Sequence, residues 1–171
     1  MQELIDTERT IAGADAMRAF GEVIARSVRP GDLLLLHGDL GAGKTTLAQG
    51  IAHGLGIEQT VTSPTFTIVS EYPVEPGHAG IDRLFHLDLY RLTDPHELES
   101  FGFDEYVRPD RAVSLIEWPE RGGAALPAPD LELRLSVVGA ARRGVLHAHS
   151  DKGSAWAQAV EADCRGDLPT A

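Results

Sequence analysis

An unbroken apolar run that ends in a glycine-rich loop constrains the fold of this chain more than any other stretch. Residues 32–37 read Asp-Leu-Leu-Leu-Leu-His, without the polar alternation of a half-exposed strand, which predicts a central parallel strand covered on both faces. Residues 38–45 read Gly-Asp-Leu-Gly-Ala-Gly-Lys-Thr and fit the pattern G-x-x-x-x-G-K-[ST] at every fixed position. A helix is expected next, over about residues 44–55. This order predicts an anion site, because the loop N–H groups and the positive end of the helix dipole meet there.

The loop pattern predicts a site for a nucleoside triphosphate and Mg²⁺. Lys44 would reach the β- and γ-phosphates, and the Thr45 hydroxyl would ligate the metal ion. The alternative is a plain glycine turn with Lys44 in solvent, and the correct flanks on both sides of the loop argue against it. The candidate nucleotide-binding residues of this stretch are Asp39, Leu40, Gly41, Ala42, Gly43, Lys44, Thr45 and Thr46.

The composition favours one soluble domain and disfavours several functions. A chain of 171 residues is long enough to bury one core. The formal net charge of −11 argues against a surface that grips nucleic acid, so no direct DNA binding is expected. Cys164 is the only cysteine, which excludes an intramolecular disulfide. No apolar run approaches the roughly 20 residues of a membrane span, and the acidic N-terminus lacks a secretory signal. A cytoplasmic location without membrane contact is therefore expected.

The remaining patterns predict an α/β fold of the P-loop NTPase class, with a central parallel sheet extended by antiparallel strands and helices on both faces. Apolar spacing predicts a helix over about residues 14–28, and a short helix is expected to begin near Thr93. Strands are expected at 1–12 (an edge strand), 66–72 paired with 84–91, 112–116, and 131–137 paired with 144–149.

The pattern weakens towards the C-terminus. We expect a single P-loop NTPase domain over residues 1–150. Residues 151–171 are expected to form a C-terminal tail, in which one short helix could lie around residues 153–164.

One candidate carboxylate lies in the stretch 84–92, which reads Leu-Phe-His-Leu-Asp-Leu-Tyr-Arg-Leu. Strand alternation places His86, Asp88 and Tyr90 on one face. An acid on the apolar side of a strand is costly unless it is paired or lies near a cation, which favours a site role for Asp88. The alternative is that Asp88 lies on the polar face and meets solvent.

A second candidate, Glu117, closes the apolar strand at 112–116. A carboxylate in this place holds Mg²⁺ directly or through water in P-loop proteins. The next residue, Trp118, would stack on a base or pack the loop. Thr62 and Thr65 lie where nucleotide switches keep a hydroxyl for Mg²⁺ and the γ-phosphate, although either could be an ordinary turn residue. Core or surface roles, without metal grouping, are expected for His37, His53, His86, His147 and His149.

Four motifs, taken together and in order, resemble those of the TsaE family. This family comprises small bacterial ATPases of the pathway that makes threonylcarbamoyladenosine at position 37 of tRNAs reading codons that begin with adenine. The resemblance covers about residues 1–150, and four linked motifs in a chain of this size make it specific. The motifs are residues 38–46 (GDLGAGKTT), 62–72 (TSPTFTIVSEY), 86–92 (HLDLYRL) and 116–120 (IEWPE).

The resemblance implies a role for each matching site residue. It implies that Lys44 and Thr45 hold phosphate and Mg²⁺, and that the nucleotide is ATP. It also implies that Thr65 is the switch-like threonine, that Asp88 is needed for hydrolysis and that Glu117 serves the metal. The candidate catalytic residues are thus Lys44, Asp88 and Thr65, the metal ligands are Thr45 and Glu117, and Trp118 lies beside the nucleotide.

The resemblance further implies a protein partner. Members of the family dock on the complex of TsaD and TsaB, and their ATP hydrolysis keeps that complex turning over, so tRNA is reached only indirectly. We expect weak hydrolysis by the chain alone, because no arginine finger is evident apart from Arg91, which sits in a strand motif. The alternatives are a P-loop small-molecule kinase and a nucleotide-dependent binding module with little hydrolysis.

Overall fold

A computed structural model describes residues 5–76 and 78–167 of the chain. The beginning of the expected N-terminal edge strand and the end of the expected tail lie outside the described residues. The helices are α1 (Gly13–Arg26), α2 (Lys44–Gly54), α3 (Glu97–Ser100) and α4 (Asp151–Asp167). The strands are β1 (Asp6–Ile11), β2 (Leu33–His37), β3 (Val69–Pro73), β4 (Arg83–Asp88), β5 (Ala112–Glu117), β6 (Leu131–Val138) and β7 (Ala141–Ala148). Short 3₁₀ turns lie at Phe103–Glu105, Pro119–Arg121 and Gly123–Ala125.

The described strands form one seven-stranded sheet in the order β1-β7-β6-β2-β5-β4-β3. Strands β6, β2, β5 and β4 run parallel to their neighbours in the centre. The pairs β1–β7, β6–β7 and β3–β4 are antiparallel and extend the sheet at both edges. The predicted fold class, a parallel centre with antiparallel extensions, is confirmed.

The centre of the sheet is covered on both faces. The longer helices α1, α2 and α4 pack on one face, and the second core, on the other face, includes residues from α3 and the first 3₁₀ turn. Successive residues of β2 alternate between the two cores: Leu34 and Leu36 face the longer helices, and Leu33 and Leu35 lie in the opposite core. This double coverage explains why the run at 33–36 has no polar alternation.

The C-terminal helix is longer than expected and belongs to the main core. It spans Asp151–Asp167, where a short helix around 153–164 was expected. Trp156 is buried, and its indole Nε1 donates to the Ile24 carbonyl of α1 at 3.1 Å. Ala157 and Val160 are fully buried in the same core.

Three predicted boundaries in the middle of the chain are wrong. Strand β3 begins at Val69 rather than at 66, because Ile68 N donates to the Pro64 carbonyl at 2.7 Å and closes a turn. Strand β4 ends at Asp88, before the predicted 91. The short helix begins at Glu97, not near Thr93, because the Glu97 carboxylate accepts the Thr93 N–H and keeps the preceding residues in a turn. Among the described residues, no helix is long and apolar enough to cross a membrane.

Candidate functional site

The candidate site lies at the carboxyl edge of the parallel strands. The loop at 38–43 follows β2, Glu117 ends β5 and Asp88 ends β4. Strand register brings these ends together, because Glu117 pairs with Leu36 of β2 on one side and with Asp88 on the other. Ligands of open α/β sheets bind at this edge.

The loop needs glycine at two positions for different reasons. Gly43 precedes helix α2 with φ +107°, a conformation that a side chain strongly disfavours. Gly38 lies so close to β6 that an added Cβ would stand 2.9 Å from the Leu135 carbonyl oxygen. The strand–loop–helix geometry of a P-loop is therefore built into the backbone.

Lys44, the first residue of α2, lies inside the loop. Its side chain is 5% exposed, and Nζ donates to the carbonyl oxygens of Gly38 and, at 3.0 Å, of Asp39. The ammonium also lies 4.2 Å from the centre of the Trp118 ring, in a cation–π arrangement. The lysine side chain therefore lies across the loop rather than in solvent.

The charge on Lys44 has opposing influences. Burial lowers the pKa of the lysine below its ordinary value of 10.5, and surrounding carboxylates act against this shift by stabilising the ammonium. An anionic phosphate at the same point would favour the charged form further. The carboxylates that face Lys44 are those of Glu117, Glu120, Asp88 and Asp39.

Glu117 is held by side chains from two other elements. Glu117 is 2% exposed. Its carboxylate oxygen Oε1 accepts hydrogen bonds from Thr45 Oγ1 at 3.2 Å and His86 Nε2 at 2.8 Å. The predicted metal ligands, Thr45 and Glu117, are therefore adjacent. His86 was expected to have a core or surface role; the structure brings it into the site, fully buried beside the carboxylate.

Asp88 binds the loop that precedes β3. Oδ2 accepts hydrogen bonds from the hydroxyls of Ser63 and, at 3.0 Å, of Thr65, and Oδ1 accepts the Tyr90 N–H at 2.8 Å. The solvent-facing alternative for Asp88 is wrong, since the residue is 2% exposed. Thr65 lies at the site, whereas Thr62 is exposed and contributes a backbone N–H to the Tyr72 hydroxyl instead.

Two cavities flank the loop. The larger, of about 300 Å³, contains the phosphate-side groups; the smaller, of about 160 Å³, lies between the loop, the start of α1 and the β6–β7 turn. Gly41, Gly43 and Thr46 line both cavities, so the cavities adjoin across the loop. The larger cavity is lined by Leu40, Gly41, Gly43, Lys44, Thr45, Thr46, Ser63, Thr65, Asp88, Tyr90, Glu117 and Trp118.

Most sequence-predicted site residues thus converge on the larger cavity. Asp39 and Ala42 do not line it: Asp39 offers its carbonyl to Lys44, and Ala42 lines the smaller cavity. Two lining residues were missed. Ser63 precedes a proline in the polar loop, and strand alternation predicts that Tyr90 shares a face with Asp88, but neither signal distinguishes them from ordinary loop and strand residues. Tyr90 in fact lies in the turn after β4. Tyr90 packs on Trp118 with ring centres 4.9 Å apart.

Fold and site together define a class: an α/β protein with a glycine-rich strand–loop–helix turn at the carboxyl edge of a parallel sheet and with paired acids at the ends of two adjacent strands. Residues 11–145 match the family described as "Threonylcarbamoyl adenosine biosynthesis protein TsaE". The chain belongs to the TsaE family.

Relatives from several bacteria agree with this assignment. The chain is 43% identical to the tRNA threonylcarbamoyladenosine biosynthesis protein TsaE of Bacillus subtilis over 122 residues, which cover 71% of this chain and 72% of that protein. It is 39% identical to the TsaE protein of Streptomyces coelicolor over 146 residues, 84% of this chain and 95% of the relative. The crystal structure of Bacillus subtilis YdiB superposes with a TM-score of 0.77 at 28% identity, covering 95% of this chain and 99% of YdiB.

Proposed function

We propose that this protein is a Mg²⁺-dependent ATPase that supports the threonylcarbamoyladenosine modification of tRNA at position 37. It would do so by docking on the complex of TsaD and TsaB and hydrolysing ATP to keep that complex turning over. The observation that carries the proposal is the convergence of four side chains, from the start of α2 and the ends of β4 and β5, on one cavity of about 300 Å³; they are those of Lys44, Thr45, Asp88 and Glu117. The names of the relatives support the tRNA pathway.

The loop and helix α2 would bind the phosphates. Loop N–H groups and the N-terminus of α2 supply partial positive charge, and Lys44 supplies a full one. Lys44 would exchange its carbonyl contacts with Gly38 and Asp39 for phosphate oxygens. We place the nucleoside on the smaller cavity, which adjoins the same loop and carries the cationic side chain of Arg142. Trp118, on the larger cavity, would then lie beside the phosphates and Lys44.

The residues at the end of β5 and at the start of α2 fit a magnesium ion. A hydroxyl and a carboxylate are the hard oxygen ligands that Mg²⁺ prefers, and Thr45 and Glu117 bring them within 3.2 Å of each other. No group of three or more His, Cys, Asp or Glu side chains within the described ranges could hold a metal by itself. Phosphate oxygens and water would complete such a site. The bound ion would neutralise charge on the β- and γ-phosphates.

Asp88 and Thr65 would act at the γ-phosphate end. Asp88 is a buried acceptor, and its hydrogen bonds fix the loop that carries Thr65. Thr65 could then turn its hydroxyl from Asp88 to the nucleotide. Among the described residues, Lys44 is the only lysine or arginine that lines the larger cavity, and Arg91 stacks on the exposed Phe66 ring at 4.0 Å. A partner that completes the site in trans accounts for weak hydrolysis by the chain alone.

Steady-state phosphate release from Mg²⁺–ATP, with and without the TsaD–TsaB complex, tests the proposal. We expect slow release alone and stimulation on the order of 10³-fold with the partner, the scale of a group supplied in trans. Lys44→Ala is the control for contaminating ATPases. Absence of release in both conditions would leave a binding module, and transfer of the phosphoryl group to a metabolite would indicate a kinase.

A further inference from the structure

The buried histidine of β4 has a defined relation to the carboxylate of β5. His86 is 0% exposed. It pairs with Leu115 of β5, so Glu117, two residues further along β5, is its diagonal neighbour. Its Nε2 lies 2.8 Å from Glu117 Oε1. Both strands belong to the rigid parallel centre of the sheet, so this contact does not depend on a loop.

The surroundings fix where the imidazole carries its proton. His86 Nδ1 is buried and has no hydrogen-bond partner among the described residues. A proton on Nδ1 would be a buried donor without an acceptor, which costs free energy, whereas a proton on Nε2 is accepted by Glu117. Since the carboxylate accepts, the imidazole donates from Nε2 to Glu117 Oε1.

Both hydrogen bonds to the carboxylate fall on the same oxygen. Thr45 Oγ1 and His86 Nε2 donate to Glu117 Oε1, and no described residue donates a hydrogen bond to Oε2. The two donors come from α2 and β4, on either side of β5. They restrict the carboxylate to one orientation, and His86 can retain Oε1 when the Thr45 hydroxyl turns to another partner.

We propose that His86 is a positioning residue for the metal ligand Glu117. It holds Oε1 and so presents Oε2 to Mg²⁺ before the ion arrives, which reduces the conformational freedom lost on binding. This inference rests on the proposed function, because it concerns the ion that accompanies the nucleotide. Loss of a hydrogen bond to a metal-ligating side chain typically lowers the metal affinity by about 10- to 100-fold.

Two substitutions separate positioning from packing. In His86→Gln the side-chain amide nitrogen reaches the place of Nε2 and can donate to Glu117. In His86→Asn the amide nitrogen falls at the place of Nδ1, and the side chain is too short to reach the Glu117 carboxylate. Both variants are polar and smaller than histidine, and asparagine leaves the larger cavity, so the stability of each variant is measured separately. Thermal unfolding by circular dichroism shows whether each variant remains folded at the assay temperature.

The measurement is the affinity of Mn²⁺, as a spectroscopic substitute for Mg²⁺, for the complex of the protein with ADP. Electron paramagnetic resonance of free Mn²⁺ gives this affinity with protein in excess, and calorimetry in EDTA gives the affinity for ADP alone. We expect His86→Asn to weaken Mn²⁺ binding about 10- to 100-fold, His86→Gln to restore it, and neither to change the metal-free affinity for ADP.

Three results would contradict the assignment in distinguishable ways. Mn²⁺ affinity at the wild-type level in folded His86→Asn would overturn the positioning role. Equal loss of metal-free ADP binding in both variants would show that His86 serves only packing. Failure of the wild-type protein to bind ADP would overturn the proposed function itself, before any variant is compared.

Discussion

Lys44 is the residue on which the proposed nucleotide binding depends most directly. Its ammonium lies inside the loop, and Lys44→Ala removes the charge while leaving the backbone N–H groups in place. We expect the affinity for ATP to fall on the order of 10- to 100-fold, the value of a charge-assisted hydrogen bond. Calorimetric titration of each protein with ATP measures this affinity. The other lysine, Lys152, pairs with Asp32 at the opposite end of β2, so Lys152→Ala should leave ATP affinity unchanged.

Glu132 offers a test of the electrostatics next to the loop. Burial raises the pKa of this carboxyl, but His37, Arg134 and His149 outweigh burial and hold the pKa below its ordinary value of 4.5. A lowered pKa contributes stability above pH 4.5 that is lost as the pH falls through the lowered value. Glu132→Gln should therefore lower the free energy of unfolding by on the order of 1 kcal/mol at pH 7.

Urea unfolding of both proteins from pH 7 down to pH 3 checks this prediction. The wild-type and Glu132→Gln curves should converge in acid, because the carboxylate is then protonated and resembles the amide. A difference in unfolding free energy that stays constant across this range would contradict the assigned cause.

Sequence reasoning locates residues whose places in the fold are fixed by consecutive positions. Lys44 and Thr45 follow directly from the loop pattern, and Glu117 from its place at a strand end. His86 and Ser63 could not be assigned in the same way. The contact of His86 with Glu117 depends on the register between β4 and β5, and that of Ser63 depends on the path of a loop.

Helices α1 and α2 cross with their backbones in contact. A methyl group on Gly50 would overlap the Arg18 carbonyl oxygen, and one on Gly21 would lie 2.5 Å from the Leu47 carbonyl oxygen. Gly50→Ala must push the helices apart, and we expect it to destabilise the fold by about 1–3 kcal/mol, as overpacking does. Gly166→Ala in α4 is the matched control, since no atom of the described residues lies within 4 Å of the added methyl.

Chemical denaturation of the two glycine variants measures this contact. Alanine is the better helix former, so Gly166→Ala should be neutral or stabilising by less than about 1 kcal/mol. If Gly50→Ala were also neutral, the close approach of α1 and α2 would be wrong. Because α2 begins at Lys44, separation of these helices should also weaken ATP binding.

Apolar periodicity predicts most elements, but it misplaces those beside the site. The stretch 66–72 looks continuously β-prone, yet its first residues turn to bring Thr65 against Asp88. In this turn Ile68 adopts φ +69°, a left-handed conformation that is rare for a β-branched residue. The Ile68 carbonyl accepts the Asp88 N–H at 2.9 Å, so the turn and the site hold each other. The strand propensity of residues 66–72 alone cannot predict this tertiary contact.

At the scale of the whole molecule, α4 packs against the main core. Trp156→Ala would remove a buried ring and the hydrogen bond to the Ile24 carbonyl, and it should destabilise the protein by about 3–5 kcal/mol. Trp156→Phe keeps most of the ring but loses the N–H, and it should cost about 1 kcal/mol for the hydrogen bond, with a further contribution from lost volume. Urea unfolding followed by circular dichroism measures both. Unchanged unfolding of Trp156→Ala would mean that α4 contributes nothing to the fold.

The order of the strands could be predicted only in part. The run at 33–36 predicts a central strand, and the spacing of β6 and β7 predicts a hairpin. That β6 lies beside β2, rather than beyond β4, rests on pairing between strands far apart in the sequence, which local patterns do not encode. The pattern of α4 is weak because its buried positions include small residues such as Ala157, which carry little apolar signal.

The most direct test of the account is repeated tRNA modification in a reconstituted system with TsaD–TsaB, ATP, Mg²⁺ and the threonylcarbamoyl donor. The wild-type protein should sustain many modified tRNAs per TsaD–TsaB complex. Asp88→Ala keeps the loop and Lys44, so it should bind ATP with unchanged affinity yet lose phosphate release and stop modification near one round per complex. Wild-type levels of repeated modification by Asp88→Ala would contradict the claim that hydrolysis at this site drives turnover.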